Sequence, residues 1–299
     1  MENYIKIQVE NCGENNTIYR YLKSLSYSEN YLKNLRKSPS NIKLNGKEVF
    51  IIVSIKNGDI IELNPNPKTK TCIMQIDKPL DVVFEDDYVL VVNKPSGISC
   101  MPNRSHYDNN LAGMIVAHMA NKNPNFVLRM INRLDKDTQG LIMISKDAVN
   151  YKFLFENHQK VYHAIVEGSL TNQVVIDSPI LDEKDEKGII KIKRVIHQNG
   201  KPAKTILTPL KQLGDKTLVE AKIYQGRTHQ IRVHSASICH PLVGDYIYGT
   251  ESKLINHTAL VCKTLCFTHP ISKQTLCFSV DYEEDFKSLI TNFSNHNEN

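Results

Sequence analysis

The sequence predicts an α+β protein of two domains, and three observations predict it. A chain of 299 residues, 41% of them hydrophobic, is long enough for two domains with a substantial core. Helical spacing and short strand-like apolar runs occur on both sides of Asn64-Pro65-Asn66-Pro67-Lys68-Thr69-Lys70-Thr71, a polar, proline-containing stretch with the composition of a linker. Asn-Gly pairs at Asn45-Gly46 and Asn57-Gly58 stand between apolar runs, the strongest short-range signal for a hairpin. The expected division is a first domain at residues 1–67, a linker at 68–78, a larger domain at 79–292 and a flexible tail at 293–299.

The first domain begins with helices. Ile18, Tyr21, Leu22 and Leu25 recur at helical intervals. Ser26 followed by Glu29 forms a capping box for a second helix carrying Tyr31, Leu32 and Leu35. Strands are expected at Ile42 to Leu44, Val49 to Ile55 and Ile60 to Leu63, turned by the two Asn-Gly pairs. Between Asn30 and Lys47 stand five basic residues, Lys33, Arg36, Lys37, Lys43 and Lys47, and no acidic one. Such a run either faces nucleic-acid phosphates or is a solvated helix face.

In the larger domain, Val82-Val83-Phe84 and Val89-Leu90-Val91-Val92 flank an acidic turn and read as a hairpin. Pro95 and Gly97 turn the chain after it, leaving Lys94 at the strand end to meet either phosphate or the domain core. Leu111 to Ala120 has helical spacing, so His118 within it reads as packed or exposed rather than as a metal ligand. The polar run Asn132-Arg133-Leu134-Asp135-Lys136-Asp137-Thr138 then leads through Gly140 into the apolar strand Leu141 to Ile144. Taken alone, Arg133 beside Asp135 would be an exposed ion pair of little energetic value. A loop anchored by a core strand can nevertheless hold a carboxylate in one fixed position, as a catalytic group requires.

Ala148 to Phe155 reads as a helix and Lys160 to Glu167 as a strand with Tyr162, Ala164 and Val166 on one face. The charged run Asp182 to Lys187 reads as a solvated loop, and Thr217 to Ile223 as a strand. In Gly226-Arg227-Thr228-His229-Gln230-Ile231-Arg232-Val233-His234, strand-like alternation separates Ile231 and Val233 from Gln230, Arg232 and His234.

Composition narrows the function. The formal charge of +5 suits a polyanion partner without requiring one. No apolar span has the length a bilayer needs and no leader pattern opens the chain, so a cytoplasmic protein is expected. Seven scattered cysteines without paired CxxC units suggest neither a disulfide framework nor structural zinc. No phosphate-binding Gly loop, dinucleotide fingerprint, zinc cluster or Ser-His-Asp pattern is present, so no cofactor and no metal are expected.

The segment from Met130 to Asp147, with Lys160-Val161-Tyr162-His163-Ala164, the Gly226 to His234 motif and His240-Pro241-Leu242-Val243-Gly244-Asp245, resembles the RluA/RluD-type (large-subunit-rRNA type) pseudouridine synthases. The first domain, with two short helices and an Asn-Gly hairpin, resembles the S-four-type RNA-binding domain. These resemblances imply a mainly antiparallel twisted sheet and a cofactor-free isomerisation of uridine in structured RNA. They imply Asp135 as nucleophile, Tyr162 as the active-site tyrosine and Arg232 as the arginine paired with Asp135. Substrate contacts are implied for Arg133, Ile231, Asn132, Thr138, His229 and Lys94. Ribosomal RNA is the implied partner, with tRNA as the alternative, and the enzyme is expected to be a monomer. Asn132, Gln139 and Cys100-Met101-Pro102 depart from the usual family residues, which bears on substrate choice. Two alternatives from other classes remain: a non-catalytic RNA-binding or ribosome-assembly factor on the same fold, and a retaining glycoside or nucleoside hydrolase using Asp135 with Asp137, a pair that an extended loop points apart and so matches poorly.

Overall fold

The computed structural model describes residues 4–13, 16–25, 27–67, 73–103, 107–124, 126–184 and 189–294. Ser26, residues 68–72 of the expected linker, residues 185–187 of the charged run and the last five residues lie outside them.

The N-terminal part is a four-stranded antiparallel sheet in the order β1-β4-β2-β3, with β1 Ile5–Gln8, β2 Ile42–Leu44, β3 Lys47–Glu48 and β4 Ile60–Leu63. Asn45 and Gly46 both take positive φ, as the tight turn between β2 and β3 requires. Two short helices, α1 (Ile18–Ser24) and α2 (Glu29–Leu35), cover the sheet and bury Ile18, Leu22, Tyr31, Leu32 and Leu35 against it. The cap of α2 is Ser28, whose side chain accepts from the Tyr31 N–H. The expected strand over Val49 to Ile55 is absent beyond Glu48. Its carbonyls are used otherwise: Val53 O accepts from Ile18 N and Ile51 O from Tyr19 N, satisfying donors that the first turn of α1 leaves free. Ala148 and Val149 of the C-terminal part pack on this core.

The C-terminal part is organised by a nine-stranded sheet in the order β5-β6-β7-β14-β8-β13-β12-β9, with β15 pairing β14. Its strands are β5 Asp81–Glu85, β6 Val89–Lys94, β7 Gln139–Ser145, β8 His158–Glu167, β9 Val174–Asp177, β12 Lys204–Leu213, β13 Lys216–Ile223, β14 Leu260–Thr268 and β15 Thr275–Ser279. All pairings are antiparallel except β7 with β14, where Val261 faces Gln139 and Cys262 faces Gly140. Every residue of β7 is buried, consistent with its continuous apolar run. Helices α3 (Leu111–Ala120), α4 (Tyr151–Glu156), α5 (Gln230–Ser237) and α6 (Glu284–Ser294) accompany the sheet.

Several expectations are corrected here. The start of the charged run is strand β10 (Ile180–Lys184), paired with β11 (Ile190–Ile196) in a separate two-stranded ribbon. The motif after β13 becomes helix α5 rather than alternating strand; Gln230 through Ser235 are all buried, so no amphipathic stripe marks it as a helix. The helix expected over Ala148 to Phe155 is shorter, and α6 runs past the expected domain end. A disulfide joins Cys266 on β14 to Cys277 on β15, directly opposite in register, where no disulfide was expected. Among the described residues, no helix is long and apolar enough to cross a membrane.

Candidate active site

The Asp135 loop runs into β7 and is fixed from several sides. Asn132 lies under it, its amide donating to Leu141 O and accepting from Met143 N, both at 2.9 Å. Cys100 holds Leu134 by both backbone groups: its thiol donates to Leu134 O at 3.0 Å and accepts from Leu134 N at 3.3 Å. On the other side of Asp135, the Lys94 ammonium donates to Lys136 O, Pro95 O and Ile98 O at 2.8–2.9 Å. Thr138 N closes the turn onto Asp135 O, and the Gln139 amide ties the strand start to Asp281 O and Glu283 N. The backbone of residues 132–139 is therefore held at both ends, while the Asp135 side chain remains 27% exposed.

Lys94 is wholly buried, and burial pulls its amine down to about 8. All three donors of the ammonium are spent on carbonyls, so the expectation that it contacts substrate gives way to a role in holding the loop. Asn132 and Thr138 are likewise buried, and the Asn132 amide is occupied by backbone. Arg133 is exposed.

Helix α5 delivers two cationic or donor groups to the carboxylate. Arg232 Nη1 is 3.5 Å from Asp135 Oδ2, and His229 Nε2 is 3.7 Å from the same oxygen. Both therefore converge on one carboxylate oxygen. The guanidinium itself is gripped by Asp245, with Nε to Oδ2 and Nη2 to Oδ1 both at 2.7 Å. Burial draws Arg232 down, but its hydrogen bonds and charge contact with Asp245, aided by Asp135, outweigh that and hold it above its ordinary value. Asp245 is fully buried and also accepts from the backbone N–H groups of Ile247 and Tyr248. It is the residue that sequence reasoning missed; an acidic side chain closing the apolar Leu242-Val243 stretch was the available signal.

Tyr162 lies on β8, two strands from β7 across β14, and is 5% exposed. Burial lifts its hydroxyl well above the usual phenol range, and the nearby Cys262 and Asp135 push the same way. Ile231, on the first turn of α5, is buried in the same core as Tyr162. The structure thus brings Arg232 and His229 to Asp135, with Tyr162 near enough for the carboxylate to act on its hydroxyl. Lys33, Arg36, Lys37 and Lys47 are exposed on the N-terminal part, with Lys43 half-buried and its ammonium 4.3 Å from the Tyr4 ring. His257, Glu283 and Asp285 also approach one another, but His257 Nε2 is hydrogen-bonded to Asp285 at 2.8 Å, and Glu283 accepts from the backbone and hydroxyl of Ser96.

The family model described as RNA pseudouridylate synthase matches residues 88–237. The chain is 36% identical to a protein of Zymomonas mobilis named ribosomal large subunit pseudouridine synthase D, covering 71% of this chain and 72% of that one. It is 29% identical to the Bacillus subtilis uncharacterized RNA pseudouridine synthase YjbO over 92% of this chain and 98% of that one. Among solved structures, human RNA pseudouridylate synthase domain containing 4 superposes with a TM-score of 0.57 at 21% identity, covering 72% of this chain and 93% of that one. The matched span includes the loop of Asp135, the strand of Tyr162 and the helix of Arg232, and the chain belongs to the RNA pseudouridylate synthase family, isomerases that convert uridine in RNA to pseudouridine.

Proposed function

We propose that Asp135 is the nucleophile of this isomerisation and that the substrate is ribosomal RNA of the large subunit. The convergence of Arg232 and His229 on a single oxygen of Asp135 carries the first part. A guanidinium and an imidazole on one side of the carboxylate fix its orientation, with Oδ2 turned toward them and Oδ1 left to meet the substrate. In the reaction the bond from ribose C1′ to uracil N1 breaks and a bond from C1′ to C5 forms. The proton leaves C5, and one is gained at N1. Attack on C1′ or on the ring makes the same demand for an ionised carboxylate. Tyr162 and Ile231 form the wall for a base flipped out of the helical stack, and the protonated Tyr162 hydroxyl lies beside the reacting ring. Arg133, exposed next to the nucleophile, contacts the strand from which the base has departed.

The relatives named as large-subunit synthases support the ribosomal substrate, with tRNA as the alternative. The exposed Lys33, Arg36, Lys37 and Lys47 support an RNA-binding role for an S-four-like first domain. The test is tritium release from C5-labelled uridine in unmodified transcripts of large-subunit rRNA and of tRNA, using native protein and Asp135→Ala. Release from rRNA that vanishes in the variant, without free uracil, is expected. Full release by Asp135→Ala would remove the nucleophile assignment, and release from tRNA alone would reassign the substrate.

A further inference from the structure

The hydroxyl of Tyr248 lies between two groups from different parts of the fold. It accepts a hydrogen bond from the backbone N–H of Arg194, on β11, at 2.7 Å, and it lies 3.0 Å from His229 Nδ1. A backbone N–H has no lone pair, so of these two neighbours only Nδ1 can accept the phenolic proton. Burial holds the Tyr248 phenol above its ordinary value, which keeps that proton on oxygen. Burial also draws His229 below its ordinary value, against the pull of Asp135 and Asp245 and with the help of Arg232 and Arg194, so the ring is neutral at pH 7. A neutral imidazole that accepts at Nδ1 carries its proton on Nε2.

We propose that Tyr248 is a positioning residue that sets the Nε2–H tautomer of His229, so that His229 presents a donor to Asp135 Oδ2 beside the donor from Arg232. The opposite tautomer would direct Nδ1–H at an oxygen already accepting from Arg194 and leave the phenolic proton without its acceptor. It would also turn the Nε2 lone pair toward a carboxylate oxygen 3.7 Å away. Tyr248 is placed to organise both donors: its ring meets the His229 ring edge-on at 5.6 Å, and the Arg232 guanidinium lies 5.4 Å from its centroid. His229 itself has a φ of 57°, a left-handed conformation that a histidine adopts only where its surroundings hold it. The bond to Arg194 joins the β10–β11 ribbon to this arrangement.

The catalytic consequence rests on the reading of Asp135 as nucleophile; the tautomer does not. The test is side-chain 15N–1H correlation spectroscopy on the full-length 15N-labelled protein at pH 7.5, with His229 assigned by comparison with His229→Gln, and turnover measured alongside. A pyrrole-like Nε2 and pyridine-like Nδ1 are expected in the native protein. In Tyr248→Phe, which keeps the ring over Arg232, the expected result is a mixed or inverted tautomer, with kcat lowered about tenfold or more and KM for RNA unchanged. An Nδ1–H ring in the native protein, or a folded Tyr248→Phe protein that keeps the native tautomer, overturns the proposal. If Asp135→Ala stayed active, the nucleophile assignment would fall while the tautomer assignment stood.

Discussion

Arg232 grips Asp245 through two hydrogen bonds of 2.7 Å and approaches Asp135 through one nitrogen at 3.5 Å. The fork to Asp245 uses Nε and Nη2, which fixes the plane of the guanidinium and leaves Nη1 directed at the nucleophile. Asp245 thereby orients the cation without touching the reacting atoms. Asp245→Asn removes the countercharge from a buried guanidinium, and a loss of about 3–5 kcal/mol in unfolding free energy is expected from denaturant titration. Any folded fraction should turn over about 100-fold more slowly, because the donor to Asp135 is no longer held. Arg232→Lys should lose activity comparably, since one ammonium cannot reproduce the planar fork. Native turnover in either variant would detach this pair from catalysis.

Lys94 separates support of the loop from recognition of phosphate. Its ammonium donates only to carbonyls, one of them Lys136 O beside the nucleophile. In Lys94→Met these carbonyls lose their donor, and stability should fall by about 1–3 kcal/mol. Turnover should fall with it, whereas RNA affinity and its slope against salt concentration should match the native protein. A salt slope smaller by about one unit would show a phosphate contact instead.

What could be read from the chain was local. The step from a polar loop through Gly140 into an apolar strand was legible, but only the resemblance of several motifs set Asp135 apart from an exposed ion pair. The Asn45-Gly46 turn was equally legible, because its positive φ values select those residue types. Helix α5 was not, because burial on all sides erased the polar face that would distinguish helix from strand. The Asp245 partnership and the Cys266–Cys277 bridge depend on which segments the fold lays side by side. So does the insertion of β14 between β7 and β8, which places Cys262 against both Gly140 and Tyr162.

Gly140 tests that insertion. It has a φ of 124°, and a Cβ there would stand 2.7 Å from Cys262 N and nearer still to Cys262 O. Backbone on the neighbouring strand cannot yield as a side-chain tip could. Gly140→Ala should therefore lose about 2 kcal/mol or more in stability, through both the left-handed backbone and the steric conflict. The soluble protein should also show reduced turnover, because β7 carries the Asp135 loop. A native melting temperature and native turnover would mean that β7 and β14 are not packed as described.

The acid limb of stability should depend on Glu85. Its carboxylate meets Lys122 at 2.7 Å, Lys146 at 2.8 Å and His118 at 2.8 Å, joining β5, α3 and the end of β7. Burial alone would raise its pKa, but hydrogen bonds from Lys122, Lys146 and His118 and the charge of Lys146 more than reverse this and bring it from 4.5 to about 2. A carboxyl depressed in the folded state binds a proton more readily after unfolding. Its contribution is therefore complete above 4.5 and is lost as the pH falls through 4.5 toward 2. Solvent reaches part of the cluster, so a contribution of about 2 kcal/mol at pH 7 is expected rather than the full value of the shift. Urea titrations of native protein and Glu85→Gln across this range should show two stability curves that are separated at pH 7 and converge as the acid limb is descended. Parallel curves would assign the acid sensitivity to other carboxylates, and identical curves would show that the three partners of Glu85 contribute nothing net to holding β5 against α3.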